Sequence, residues 1–103
     1  MSDMIRVDLH NHTHYSPDSL TTPSDLIRAA HRARLDRVAV TDHNAVNGAL
    51  EAYALAPELV IVGEEVMTSK GELLGLFVKE YIPHFLSPLE TTSRLRQQGA
   101  FIS

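Results

Sequence analysis

Runs of hydrophobic residues along the chain predict four β-strands and the start of a fifth. Alternating apolar positions, or short continuous apolar runs rich in β-branched residues, are typical of strands. The predicted strands are "MIRVDLH" (4–10), Arg37 to Thr41, "ELVIVGEEV" (58–66), "ELLGLFVKE" (72–80) and a last one that begins in "AFIS" (100–103). The third is apolar almost throughout, as strands covered on both faces tend to be. The polar "TSKG" that follows it suits a hairpin turn into the fourth.

Three segments between these strands predict helices. Thr22, Pro23 and Asp25 give the order of N-cap, first-turn proline and acid that begins a helix. The same order recurs from Ser87 in "SPLETTSRLRQQG". "AVNGALEAYALA" predicts a helix that Gly48 weakens.

Strands that alternate with helices predict right-handed βαβ units and a parallel sheet. With 103 residues, the chain is large enough for one small domain. It ends as it enters a strand, so we expect an open sheet edge and helices that cover only part of a core. One way to cover such an edge is self-association of the chain.

Composition narrows the kinds of site that the chain can build. It contains no cysteine, so disulfides and thiolate metal sites are excluded, and any metal must be held by nitrogen and oxygen. The net charge of −4 and a pI near 5.8 give no basic patch for nucleic acid. There is no apolar run of about 18 residues and no signal-peptide pattern, so we expect a cytoplasmic protein without a membrane partner.

Polar clusters follow three successive strands. "DLHNH" ends the first, "TDHN" the second and "GEE" the third. In parallel α/β folds, ligand sites form outside the carboxyl ends of the strands, so these side chains are predicted to meet at one rim. His10 and His12, two positions apart, would leave an extended backbone on the same face. The pattern therefore predicts a cation site.

Each cluster also has a simpler interpretation. Asp42 and the histidine after it could form a turn and a helix cap, and Asp18 in "SPDS" has the composition of a turn. Strand alternation turns one of Glu64 and Glu65 inward, but it does not say which.

Taken together, "DLHNHTHYSPDSLTTPSDLIRAA", "VAVTDHN" and "IVGEEV" resemble the first three motifs of the PHP (polymerase and histidinol phosphatase) family, in order and spacing. The resemblance implies an α/β fold: part of a distorted TIM-like (β/α)7 barrel, with its first three to four strand–helix units and a parallel sheet that is not closed. It also implies two or three divalent metal ions (zinc, manganese or iron) at the C-terminal rim. The implied activity is hydrolysis of a phosphate ester, such as histidinol phosphate, a nucleotide or a nucleic-acid end.

Carried over residue by residue, the resemblance assigns the following metal ligands: His10, His12, Asp18, His43 and Glu65. Asp42 matches the acid beside the ligand histidine, with a role in orienting a ligand or in proton transfer. Glu72 stands where many members have a histidine before "LLG"; it is a further candidate ligand, or else a surface glutamate. Three histidines match no ligand of the family: His14, His31 and His84.

The implied reaction is attack on phosphorus by a metal-activated hydroxide, with no serine or cysteine nucleophile. Later family motifs, among them a His-Pro pair, do not occur in these 103 residues, so we expect residues 1–103 to be the N-terminal portion of a PHP domain. The expected partner is a phosphorylated small molecule or nucleotide, with nucleic acid less favoured for want of a basic patch. The alternatives are a non-catalytic metal-binding PHP module, an inactive fragment, or a barrel completed by a partner chain.

Overall fold

A computed structural model describes residues 5–103 as alternating strands and helices. The elements are β1 (Val7–Asn11), α1 (Pro23–Arg32), β2 (Arg37–Val40), α2 (Asn47–Leu55), β3 (Val60–Thr68), β4 (Gly71–Leu76), α3 (Pro88–Gln97) and β5 (Phe101–Ile102). All of the predicted strands and helices are present. The predicted start of the first strand at Met4 lies outside the described residues. Within 5–103, no helix has the length and apolar character needed to cross a membrane.

The five strands form one open sheet in the order β1-β2-β3-β4-β5. The predicted α/β class and the unclosed sheet are confirmed. The sheet is mixed, however, and not wholly parallel: β1, β2 and β3 are parallel, whereas β4 and β5 pair antiparallel. The cause is the tight turn at Ser69 and Lys70, which sends the chain directly back along β3. No helix therefore separates the third and fourth strands.

The fourth strand is shorter than predicted. It ends at Leu76 instead of continuing to Glu80. The next residue, Phe77, has a backbone φ of +59°, in the left-handed region that a strand cannot contain. The chain leaves the β4–β5 ladder at this point, and Val78 N–H donates to the Val62 carbonyl on β3 at 2.9 Å.

The predicted helix starts are confirmed in their cap geometry. The Thr22 hydroxyl accepts a hydrogen bond from the Asp25 amide at 3.1 Å, and the Ser87 hydroxyl accepts one from the Glu90 amide at the same distance. Each bond satisfies one of the amides that a helix N-terminus leaves without a partner. These caps fix where α1 and α3 begin.

The core lies mainly between the sheet and its helices. Leu26 and Ala30 of α1 and Ala49 and Ala52 of α2 pack against valines of β2 and β3. A second cluster under α3 contains Val46, Val66, Val78, Ile82 and Leu95. By contrast, the outer strand β1 leaves Val7 and Leu9 exposed. The strand β2 contributes to the first cluster and β3 to both, so the ends of these buried strands are the best-supported positions for a site.

Replacing Thr22 by alanine should lower the free energy of unfolding by about 1 kcal/mol, because it removes the cap of α1. Thr22→Ser is the matched control, since it keeps the accepting oxygen. Urea denaturation of both variants measures the difference. Equal loss of stability in the two would show that the cap bond does not stabilise α1.

Candidate metal centre

Two histidines from β1 and the loop after it converge on one glutamate. The Nε2 atom of His10 lies 2.6 Å from Oε1 of Glu65, and the Nε2 atom of His12 lies 2.8 Å from the same oxygen. The two rings have their centroids 5.1 Å apart. The structure therefore brings both imidazoles to one carboxylate of β3, as their spacing suggests.

A second group forms around Asp18. The Nδ1 atom of His12 lies 3.1 Å from the Asp18 carboxylate, and the Nε2 atom of His43 lies 3.2 Å from it. The His12 and His43 rings are in edge contact, with centroids 4.4 Å apart. Asp18 therefore lies in the histidine cluster and joins the first loop to the end of β2.

A third group includes the glutamate that stands in place of a family histidine. The Nδ1 atom of His43 lies 3.0 Å from the Glu72 carboxylate and 3.9 Å from that of Glu65. Three sets of side chains thus each offer ligand atoms within 4.8 Å of one another: His10, His12 and Glu65; His12, Asp18 and His43; His43, Glu65 and Glu72. They share members, so all six predicted ligands belong to one continuous cluster.

Glu65 is not at the end of its strand, which corrects the expectation that "GEE" ends β3. The strand continues to Thr68 because residues 63–68 pair with β4. Its parallel pairing with β2 ends at Val62, however, and Glu65 lies just beyond that point. There the Glu65 amide donates to the Asp42 carbonyl at 3.0 Å, and its carbonyl accepts from the Asn44 amide at 2.9 Å. These two bonds hold Glu65 beside His43.

Glu64 points away from the cluster into the core. Its side chain is fully buried, and one oxygen accepts a hydrogen bond from the Ile82 amide at 2.9 Å. The other oxygen has no hydrogen-bond partner among the described residues. Burial raises the pKa of the Glu64 carboxyl to about 7, against the smaller opposing effect of the Ile82 bond. Glu64 therefore lies in the apolar core, whereas the neighbouring Glu65 lies in the histidine cluster.

Asp42 holds the first loop in place. Its buried carboxylate accepts hydrogen bonds from the Thr13 amide at 2.5 Å, the Thr13 hydroxyl at 2.6 Å and the Ser16 hydroxyl at 2.9 Å. The Ser16 oxygen in turn accepts a bond from the His43 amide at 2.8 Å. Within residues 5–103, Asp42 makes no hydrogen bond to a histidine ring, so it positions the candidate ligands through the loop backbone.

Thr13 and Ser16 were not predicted as site residues. Both are almost completely buried although they lie in a loop. A hydroxyl residue in a polar loop normally indicates only a turn. Their role in holding the loop is clear only from the structure, in which both hydroxyls donate to the Asp42 carboxylate.

Gly48 allows α2 to approach this network closely. A Cβ atom at this position would lie 2.2 Å from the Thr13 hydroxyl oxygen and 2.4 Å from the Asp42 carboxylate, which is closer than real Cβ contacts occur. The glycine lowers the helix propensity of α2. In return, it leaves room for the bonds that hold the loop.

The side chains of the cluster shift one another's pKa values. Burial alone would raise the pKa of Glu65, but the neighbouring Glu72 carboxyl, the hydrogen bonds with His10 and His12 and the charge of His43 lower it to about 2. The proximity of Glu65 raises the pKa of Glu72. Burial lowers the pKa of His12, but bonds to Glu65 and Asp18 outweigh it, so the net shift is upward.

The remaining histidines lie elsewhere. His14 is exposed on the first loop, and His31 is exposed on α1. His84 is exposed in the loop before α3, 2.8 Å from the hydroxyl of Tyr81. None of the three belongs to a potential metal-binding group among the described residues.

The donor set suits a divalent cation of intermediate hardness. Imidazole nitrogen and carboxylate oxygen are ligands of zinc, manganese and iron. Two ligands that each lie about 2.1 Å from such a cation are about 3.0 Å apart in octahedral geometry and about 3.4 Å apart in tetrahedral geometry. The histidine nitrogens lie 2.6 and 2.8 Å from Glu65, so they need to separate by less than about 1 Å to admit an ion.

The chain matches a known family over most of its length. Residues 8–93 match the PHP domain. It is also 39% identical over 108 aligned positions to the uncharacterized protein MJ1587 of Methanocaldococcus jannaschii, an alignment that covers 92% of this chain and 63% of that protein. The chain therefore spans less than two thirds of this relative.

Two solved structures have a similar fold. A two-domain protein from Bacteroides vulgatus that contains a predicted PHP-like metal-dependent phosphoesterase superposes with a TM-score of 0.81 at 22% identity, over 95% of this chain and 34% of that one. An amidohydrolase from Chromobacterium violaceum, with bound sulfate and no metal, gives a TM-score of 0.65 at 28% identity, over 89% and 32%. Both are about three times as long as the region they share with this chain.

Gly48→Ala should destabilise the protein, although alanine is normally the better helix former by about 1 kcal/mol. The added methyl group would displace Thr13 or Asp42. Ala54→Gly, at an exposed position of the same helix, is the control for propensity alone. Chemical denaturation and Mn²⁺ titration measure both effects: Gly48→Ala should lose stability and metal affinity together, whereas Ala54→Gly should lose only stability. A more stable Gly48→Ala variant would contradict the packing.

Glu64 should make stability fall as the pH rises. Its pKa is about 7 in the folded chain and near 4.5 when unfolded, so the folded state holds the proton more tightly. The resulting stabilisation, on the order of 3 kcal/mol, is fully present below pH 4.5 and is lost as the pH rises through 7. Urea denaturation from pH 4.5 to 8 in EDTA should show this decline, and Glu64→Gln should flatten it. The same slope in both proteins would contradict the assignment.

Proposed function

Because this chain belongs to the PHP domain family, we propose that its histidine and carboxylate cluster binds two or three divalent cations and takes part in hydrolysis of a phosphate ester. The proposed metal ligands are His10, His12, Asp18, His43, Glu65 and Glu72. The observation that carries the proposal is the overlap of the three groups. Glu65 contacts the other members of two of them, so it is suited to bridge neighbouring cations.

The negative charge of the cluster favours a reaction that needs bound cations over one in which these side chains act on the phosphate ester without metal. The cluster brings three carboxylates together, and the hydrogen bonds and ion pairs of its members include no lysine or arginine. A phosphate ester, itself an anion, would be repelled by these groups alone. Bound cations reverse the local sign of charge and make the site attractive to phosphate.

A bound divalent cation would supply Lewis acidity, lowering the pKa of water from about 15.7 toward 7 and neutralising phosphoryl oxygens. The chain's own residues set the geometry. Neutral imidazoles of His10, His12 and His43 are the binding form, so protonation of these rings competes with the metal. Asp42 holds the loop that carries His12 and Asp18, and in this way fixes the distance between the first strand and the second.

Similar proteins support this chemistry. The Bacteroides vulgatus protein contains a predicted metal-dependent phosphoesterase, and the Chromobacterium violaceum protein has bound sulfate, a tetrahedral oxyanion of the same shape as phosphate. The second protein is called an amidohydrolase, so an amide substrate belongs in any test. We propose the phosphate ester because the PHP match covers 8–93 and the donor set suits cations that polarise phosphoryl oxygens.

A non-catalytic metal-binding role is the second candidate. The observation that favours it is the openness of the cluster: the side chains of His10 and Asp18 are 56% and 52% exposed. Hydrolytic sites usually exclude bulk water around the reacting groups. Under this alternative, the same residues bind metal without turnover.

His12→Ala should weaken Mn²⁺ or Zn²⁺ binding by more than roughly tenfold, because His12 belongs to two of the three groups. His31→Ala removes an exposed histidine of α1 and is the matched control. Calorimetric titration at pH 7.5 measures the affinity, and hydrolysis of p-nitrophenyl phosphate, a nucleotide monophosphate and p-nitroacetanilide measures the activity.

The proposal expects metal-dependent release of phosphate by the wild-type chain and by His31→Ala, and none by His12→Ala. Equal metal affinity in the two variants would refute the ligand assignment. Metal binding without hydrolysis would favour the non-catalytic role. Turnover of the anilide alone would identify an amide-cleaving site.

A further inference from the structure

A groove opens at the end of the sheet where β2 and β3 begin. It lies between α2 on one side and the segment that follows β4 on the other, and its volume is about 520 Å³. Leu50 and Tyr53 of α2 form one wall, and Phe77 and Val78 form the other. The walls are mainly apolar, and the volume falls in the range of small-molecule sites.

The groove follows from the hairpin between β3 and β4. In a βαβ unit, a helix would follow β3 and pack on the sheet beside α2. Here the irregular segment 77–83 takes that place, with Val78 and Ile82 buried against residues of β3. A helix with its side chains is about 10 Å across, roughly twice the spacing of extended chains. The segment therefore covers less of the sheet than a helix would, and space remains beside α2.

Three apolar side chains of the groove are about half exposed: Leu50, Tyr53 and Phe77. None of them belongs to a core cluster of the described residues. Phe77 also has its backbone in the left-handed region, at a φ of +59°, which phenylalanine rarely adopts. Backbone strain of this kind is concentrated at binding sites. The fold therefore presents an aromatic ring to the groove without using it in the core.

The wall formed by the segment after β4 is fixed by hydrogen bonds. The Val78 amide donates to the Val62 carbonyl at 2.9 Å. The side-chain oxygen of Gln98 accepts hydrogen bonds from the Lys79 amide at 2.8 Å and from the Glu80 amide at 2.9 Å. These bonds anchor the segment to β3 and to the end of α3, so little conformational freedom is lost when a ligand binds.

The two charged side chains that line the groove are both cations, Arg37 and Lys79. Among the described residues, the ion pairs of arginine and lysine involve only Arg28 and Arg94, so these two have no acidic partner. The Arg37 Nε atom donates to the Leu59 carbonyl at 3.4 Å, which leaves the outer guanidinium nitrogens for a ligand. Apolar walls with unpaired cations beside them favour an amphipathic anion.

We propose that this groove binds a small carboxylate with an apolar tail, such as a medium-chain fatty acid. The tail lies between α2 and Phe77, and the carboxylate lies near Arg37 and Lys79. Burial of the tail supplies most of the affinity, and the cations select an anion over a neutral molecule. Because β2 and β3 run from this groove toward the histidine and carboxylate cluster, the site lies at the opposite end of the sheet and does not depend on the proposed function.

A series of carboxylates tests the groove: butanoate, hexanoate and octanoate, titrated into the wild-type chain in EDTA and followed by amide shifts in ¹H–¹⁵N NMR spectra. Affinity should rise about twofold to fourfold with each added methylene group. The largest shifts should occur at Leu50, Tyr53 and Val78. The neutral 1-octanol, which has the same tail length, should bind about threefold or more weakly than octanoate.

Two variants separate the tail from the charge. Phe77→Gly removes one wall but suits the left-handed backbone, so it should lose most of the octanoate affinity without lowering the stability to urea. Lys79→Gln should weaken octanoate about threefold and leave the affinity for 1-octanol unchanged. Lys70→Gln, which removes an exposed lysine in the turn between β3 and β4, is the matched control and should change neither affinity.

Several results would overturn the inference while the metal cluster stood. Equal affinity for octanoate and 1-octanol would show that the cations do not select an anion. Shifts at Val7 and Leu9 in place of the groove residues would show adventitious binding to exposed apolar side chains. Groove shifts that depend on protein concentration, with no response to octanoate, would identify a contact between two copies of the chain. A Phe77→Gly variant that is less stable but binds octanoate normally would assign Phe77 to the fold alone.

Discussion

The site depends on one buried carboxylate, Asp42, which ties a loop to the end of a strand. Its oxygens accept three hydrogen bonds from Thr13 and Ser16. The Ser16 oxygen in turn accepts a hydrogen bond from the His43 amide, which fixes that residue relative to the loop. A buried charge is costly unless it is fully hydrogen-bonded, so the loop has little freedom to move without exposing or stranding that charge. The positions of His12 and Asp18 follow from this constraint.

The hairpin between β3 and β4 also determines which side chains reach the cluster. By returning directly along β3, the chain places Glu72 opposite Met67, within reach of His43 and Glu65. A helical crossover would have moved the fourth strand to a parallel position and carried Glu72 to the other end of the sheet. The antiparallel pair therefore brings a third carboxylate to a cluster that β1, β2 and β3 begin.

The features that could be predicted from the sequence are those with local causes. The caps at Thr22 and Ser87 depend on side chains and amides three residues apart, and the strands follow from runs of apolar residues. The choice between Glu64 and Glu65 depends on which face of β3 meets α3, and strand alternation alone did not decide it. The early end of β4 arises from the left-handed backbone at Phe77. Phenylalanine rarely adopts this conformation, so the sequence does not predict it.

The candidate site likewise combines features that the sequence predicts with features that depend on contacts between distant segments. The resemblance to the PHP family assigned five candidate ligands and left Glu72 open as a sixth, and the structure brings these six side chains together. It could not indicate that Asp42 contacts Thr13 and Ser16 rather than a histidine ring. Gly48 of α2 leaves the space that these contacts occupy, and this fit depends on packing between distant segments.

The outermost strand has a practical consequence for handling the protein. In the described sheet, β1 pairs on one side only, with β2. Its apolar side chains Val7 and Leu9 are exposed, as is Ile5 just before the strand. Unpaired strand edges of this kind attract a strand of another molecule. We therefore propose that oligomeric state varies with sample concentration, so dilute and concentrated preparations need not contain the same species.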